Sequence, residues 1–440
     1  MATNFSPTRA GPIFDRSHSV AQRSVPLWQC GLVFAFAFAL HFNPAIGLGG
    51  QTAASQGFNG FRVIDVLSFG TVFILGAYSV PRRILPVAFY ALIMGTLFAM
   101  PTLSNDQQTA VLAYRYLLYS LAALYVLVII NEAKGLEWFC WGLIIGLVAT
   151  IPIYVIQDSV YASKLVEWGL TPPYTNTVFS SSGDFLRYSG LSSHPNDAGH
   201  TSALAAAAGA YFVVVRRKFL PIVIVSAALL AVFYYTRSRG GLFAGGAIIA
   251  FSLLASQGRV NVIRLGLVLG FVVIAMILVS QIDFIAARFS DDADQSNNIA
   301  ERLGTTLAGL QVLLTNPFGL PIDEFSSDVV SASGGIGTPH NGFIFFGGIF
   351  GLFPLLALLV TCAVNLRART AIDVFFLFLT LQVAVSFMFE QLPASCSYEF
   401  AICLLMGRAY FRTRLGNEFT SGHFTGNYER PFRPLLRDSR

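Results

Sequence analysis

Twelve stretches of roughly twenty mostly apolar residues follow one another along this 440-residue chain, and no other feature narrows its fold so far. They fall at about 27–46, 62–80, 84–102, 109–130, 136–156, 197–215, 219–236, 240–256, 262–280, 341–362, 371–389 and 394–411. A bilayer core of about 30 Å is crossed by about 20 apolar residues in a helix, so each stretch is long enough to span. The strand-period alternation of a membrane barrel is absent. Only 12% of the residues are charged, 55% are hydrophobic, and the mean hydropathy is +0.63. Soluble domains carry about 25% charged residues; this chain has too few to cover a surface facing water. The expected fold is all-α, a polytopic integral membrane protein of about 12 transmembrane helices.

Lysine and arginine set the orientation. With the N-terminus inside, 20 of the 28 basic residues fall on the cytoplasmic side, including Arg216, Arg217, Lys218 and the basic tail. Both termini are then cytoplasmic, and the net charge of +5 is a topology signal that implies no nucleic-acid partner. The first apolar stretch follows a basic segment as a signal peptide would, but eleven more follow it, so it reads as an uncleaved first helix. The chain divides into an N-terminal tail (1–26), a membrane domain (27–411) and a basic tail (412–440). The five cysteines lack CxxC spacing and read as small hydrophobes.

Cytoplasmic loops are short, but two external loops are long, at about 157–196 and, between helices 9 and 10, about 281–340. In the second, Asn298 and Glu301 have the spacing of a capping box, and Leu303, Leu307, Leu310 and Leu314 follow at helical intervals. This predicts an amphipathic helix over 299–315, stopped by Asn316-Pro317 and lying on the outer membrane face.

Eight basic residues remain on the external side, and seven of them are arginines. Snorkelling to headgroups accounts for any one of them. It accounts less well for Arg237 and Arg239 together in the short TRSRGG turn, or for Arg115, about 9 Å inside the fourth stretch. As a set they suit a polyanion such as pyrophosphate, which the guanidinium fork matches. Upstream, RYSGLSSHPNDAGH (187–200) places Arg187 and His194 before a helix start at Pro195, with Asp197 in its first turn. His194, Asp197 and His200 match no standard metal spacing, so no metal site or cofactor is expected.

The spacing R-x-x-G-x-x-x-HPN at 187–196, S-R-G-G at 238–241, and the long loop ending in NPFG (316–319) and HN-G-F (340–343) resemble the O-antigen ligase/O-antigen polymerase superfamily. These are metal-independent glycosyltransferases of the bacterial inner membrane. The resemblance implies a polyprenyl-pyrophosphate-linked oligosaccharide as donor, external arginines that hold the pyrophosphate, and an essential loop histidine. Here those roles fall on Arg187, Arg237 or Arg239, Arg288 or Arg302, and His340; Arg115 joins the arginines by its depth. His194, Asn196 and Asn341 would support them, Asn341 either orienting His340 or capping the next helix. The expected activity is polymerisation of repeat units at the periplasmic face. The acceptor is then another lipid-linked repeat unit; in a ligase it would be lipid A–core or protein. A transporter would put charges near the bilayer midplane, and a scaffold would leave the arginines unused. Glu390, Glu399 and Asp65 stand either as acceptor contacts or as partners of Arg62 and Arg115.

Overall fold

The computed structural model describes residues 26–46, 61–78, 84–102, 106–255, 292–334, 339–392 and 395–414, apart from 132, 169, 171–176, 179–185, 193 and 369. Regular structure in them is helical except for two short antiparallel ladders: β1 (Ala45–Ile46) with β2 (Phe61–Arg62), and β3 (Thr177–Val178) with β4 (Leu186–Arg187). The helices are α1 (Leu27–Ala39), α2 (Val63–Tyr78), α3 (Ile84–Thr102), α4 (Gln107–Ile130), α5 (Ala133–Gln157), α6 (Ala162–Glu167), α7 (Pro195–Ala203) and α8 (Ala205–Val214). They continue as α9 (Leu220–Thr236), α10 (Arg239–Ala255), α11 (Asp292–Thr315), α12 (Ile322–Ala332), α13 (Gly342–Phe350), α14 (Leu352–Asn365), α15 (Ala371–Phe387) and α16 (Cys396–Arg414).

Every apolar stretch read from the sequence contains helix except 262–280, which lies outside the described residues. The differences have local causes. The first helix stops at Ala39, well short of residue 46, because Pro44 bars the helical conformation at Asn43 and the chain enters β1. The stretch at 341–362 is broken at Gly351, whose φ of +94° suits only glycine. There the backbone turns against Pro317 and Phe318, and Gly351 ends the helix. Gly241 does serve close approach: a Cβ on it would lie 2.4 Å from the Gly199 carbonyl carbon, so α10 crosses α7 backbone to backbone.

Among the described residues two helices, Gln107–Ile130 and Lys134–Gln157, are long and apolar enough to cross a membrane, and shorter apolar helices of 10–17 residues pack around them. Outward faces stay apolar, with Ile145 and Val148 on α5, Leu220 and Val223 on α9, and Phe353, Leu356 and Val360 on α14 all exposed. An all-helical fold with such a surface is compatible with a membrane protein.

The amphipathic helix is present but longer than expected. It begins at Asp292, so Asn298 lies inside it and does not start it, and it ends at Thr315 before Asn316-Pro317. Its leucine stripe also points away from the protein. Leu303, Leu307, Leu310 and Leu314 are exposed, while Thr305, Ala308, Val312 and Leu313 face the bundle.

Candidate functional site

The start of α7 is the anchor. His194 is its N-cap, its Nδ1 accepting from the Asn196 backbone N–H at 3.2 Å, and Pro195 fills the first turn. The Asn196 side chain joins two charged groups. Its Oδ1 accepts from Arg187 Nη2 at 2.6 Å, and its Nδ2 donates to Glu390 Oε2 at 2.8 Å. Arg187 is also tied at Nε, which donates to the Thr236 carbonyl at 2.9 Å, and the next residue, Tyr188, donates its N–H to the Tyr235 carbonyl. Strand β4 is thus fastened to the end of α9.

Glu390 follows the end of α15, and its other oxygen meets His340 Nδ1 at 3.4 Å. His340 keeps 35% of its side-chain surface exposed, against 11% for Glu390. A carboxylate at Nδ1 directs the imidazole and leaves Nε2 as the nitrogen able to accept a proton. Asn341 caps α13, its Oδ1 accepting from the N–H groups of Phe343 and Ile344 at 3.0 and 3.1 Å. The cap fixes where the loop ends and, with it, where His340 stands.

Burial alone would raise the Glu390 carboxyl; the hydrogen bond and charge of His340 outweigh it and hold Glu390 down at about 2. His194 is lowered from 6.5, first by burial and then by the charges of Arg187 and His340, against the opposing pull of Glu390. A neutral His194 is what the cap requires, since its Nδ1 must accept.

Arg302 on α11 reaches this cluster, with Nη1 3.4 Å from the Phe389 carbonyl. Arg239 and Arg237, two residues apart, part company. Arg239 is exposed at the first position of α10, one turn before Phe243, whose ring packs on Phe389 at 5.5 Å. That spacing puts Arg239 on the helix face turned toward Phe389 and Glu390. Arg237 caps α9 in the left-handed conformation (φ 53°) and lies over the Tyr234 ring at 4.6 Å. Arg115 is engaged elsewhere: its Nη2 pairs with Asp65 Oδ2 at 3.3 Å, both side chains under 10% exposed, and Tyr119 donates to the other Asp65 oxygen. Arg288 lies outside the described residues.

The structure therefore gathers Arg187, His194, Asn196, Arg302 and His340, and adds Glu390 as the residue that joins them. In the sequence Glu390 stood only as an acceptor contact or a partner of Arg62 or Arg115, and nothing there pointed to its links with His340 and Asn196. Beneath the cluster His200 is buried, its Nδ1 3.1 Å from Ser386 Oγ, and Tyr398 donates to the His200 carbonyl at 2.8 Å. Ser386 and Tyr398 carried no signal in the sequence, where His200 was considered only beside His194 and Asp197 as a metal ligand.

No family model and no curated protein matches the chain. Its chemistry rests on its own residues. Among the described residues no group of three His, Cys, Asp or Glu side chains could hold a metal ion. What the site offers is a directed, one-third-exposed imidazole joined through Glu390 and Asn196 to a guanidinium group, a combination suited to removing a proton while negative charge builds nearby.

Proposed function

We propose that the chain is a glycosyltransferase of the bacterial inner membrane that polymerises polysaccharide repeat units from a polyprenyl-pyrophosphate-linked donor. In this reading about twelve helices span the bilayer, both termini are cytoplasmic, and the His340 cluster opens to the periplasm. The donor's polyprenyl tail stays in lipid and its sugars stand in water, which accounts for a reactive histidine where polar loop meets apolar helix. The acceptor hydroxyl attacks the anomeric carbon and its proton passes to His340 Nε2. A carbon–oxygen bond forms to the acceptor as the bond to the pyrophosphate breaks, and the lipid pyrophosphate leaves with the electron pair. Arg302, Arg239 and Arg187 are placed to balance that charge, and one such donor is worth about 10²–10³ in rate.

The observation that carries the reading is the hydrogen-bonded chain from Arg187 through Asn196 and Glu390 to the exposed imidazole of His340. The test is to delete the gene, then restore the wild-type protein or His340→Ala, and to examine polysaccharides on a gel beside extracted lipid-linked intermediates. Single lipid-linked repeat units should accumulate, and only the wild-type protein should clear them. Full-length lipid-linked polymer that never reaches its final carrier would mean ligation to lipid A–core or protein, with the same donor chemistry. An unchanged profile would return weight to transport or scaffolding.

A further inference from the structure

Arg237 is one residue past Thr236, the residue whose carbonyl holds Arg187, yet its surroundings differ from those of the His340 cluster. Its side chain lies over Tyr234, and its Nη1 is covered without a hydrogen-bond partner among the described residues. Tyr234 meets Tyr235 edge to face at 5.2 Å, and Tyr235 meets Tyr188 at 6.2 Å. The Tyr188 hydroxyl donates to Asp158, a carboxylate that stays exposed. Tyr234 is 49% exposed. So three tyrosine rings, one of them open to solvent, stand between an acidic acceptor and a guanidinium donor.

This pattern argues against a phosphate ligand, because Asp158 would repel it. It suits a neutral polyol, whose hydroxyls donate to a carboxylate and accept from a guanidinium, and whose C–H face rests on an aromatic ring.

We infer that Asp158, Tyr188, Tyr234 and Arg237 form a carbohydrate-binding subsite for a neutral pyranose of the glycan. The inference rests on the proposed glycosyltransferase reading for which molecule the sugar belongs to. The neighbouring site holds the pyrophosphate end, and this ledge holds a sugar of the same chain. Arg237 thereby belongs to glycan recognition, while Arg239 belongs to the leaving group.

The test uses the full chain in nanodiscs and a panel of maltotriose, chitotriose and a rhamnose trisaccharide, with inorganic pyrophosphate as competitor. Tyr234→Leu keeps bulk and removes the ring. Arg237→Gly removes the guanidinium and relieves the backbone, so strain cannot explain a loss. The wild-type protein should bind at least one trisaccharide, each variant should weaken that binding about tenfold or more, and His340→Ala should bind as the wild type does. No binding by the wild-type protein, binding indifferent to both variants, or displacement by pyrophosphate would overturn the subsite. Any of these alongside loss of transfer in His340→Ala cells would leave the glycosyltransferase reading standing. Sugar binding as expected with normal transfer by His340→Ala would instead sink that reading and keep the subsite.

Discussion

Two ionic clusters in this fold are built from similar residues and end differently. Around Arg115 the chain closes: Asp65 takes the guanidinium on one oxygen and the Tyr119 hydroxyl on the other, and both charged side chains are nearly out of reach of solvent. Around Arg187 the chain stays open: the guanidinium leads through Asn196 to Glu390, and Glu390 ends on an imidazole that is one-third exposed. A buried arginine with its own carboxylate has spent its charge inside the fold. One whose hydrogen bonds lead to an exposed titratable ring is part of a surface that can meet a substrate. The two cases separate arginines that the sequence had put in one class.

The comparison breaks most directly at His340. His340→Ala should lower glycan transfer about 10²–10⁴-fold with protein level in the membrane unchanged; near-normal polymer length would end the general-base assignment. At the closed cluster the effect should be on folding. Asp65→Ala removes the carboxylate paired with buried Arg115 and should cost about 3–5 kcal/mol of stability, read as a lower midpoint of thermal unfolding in detergent. Asp65→Leu with Arg115→Met should recover much of that loss and keep activity; a stable but inactive double variant would mean that Arg115 does touch substrate. Between the two arginines of the turn, Arg239→Ala should lower the rate about 10²–10³-fold, with substrate affinity less affected. Equal, mild effects of Arg239→Ala and Arg237→Gly would restore the snorkelling account of both.

The smallest effect is acid sensitivity. His194 binds its proton less readily folded than unfolded, so the unfolded chain gains protons first as the pH drops below 6.5 and stability falls. Glu390 has the same sign lower down: its contribution is complete above 4.5 and is lost as the pH falls toward about 2. His194→Asn keeps a capping side chain without a titrating ring, and should flatten the dependence of the unfolding midpoint between pH 7 and pH 5. An unaltered slope in that variant would remove His194 from the account.

Helix positions were legible in the sequence because apolar runs this long have few other solutions, and the Pro195 start and the Asn316-Pro317 stop were read from local chemistry that tertiary packing did not override. His340 and Arg187 were legible as reactive types at a boundary. Glu390 was visible only as an unassigned acid, since its partners lie 50 and 194 residues away and spacing says nothing about such pairs. The same limit left Asp65 as one of several acids that could partner Arg115, and left Arg237 and Arg239 undivided.

The crossing of α7 and α10 has a mechanical consequence. Backbone lies against backbone at Gly199 and Gly241, with no side chain between them to bend, so the two helix starts form a single rigid corner carrying His194, Asn196 and Arg239. By contrast, α11 reaches that corner through the long contact from Arg302 and turns its leucines outward. If the protein opens to admit a bulky chain, the stiff corner is the jaw that stays still.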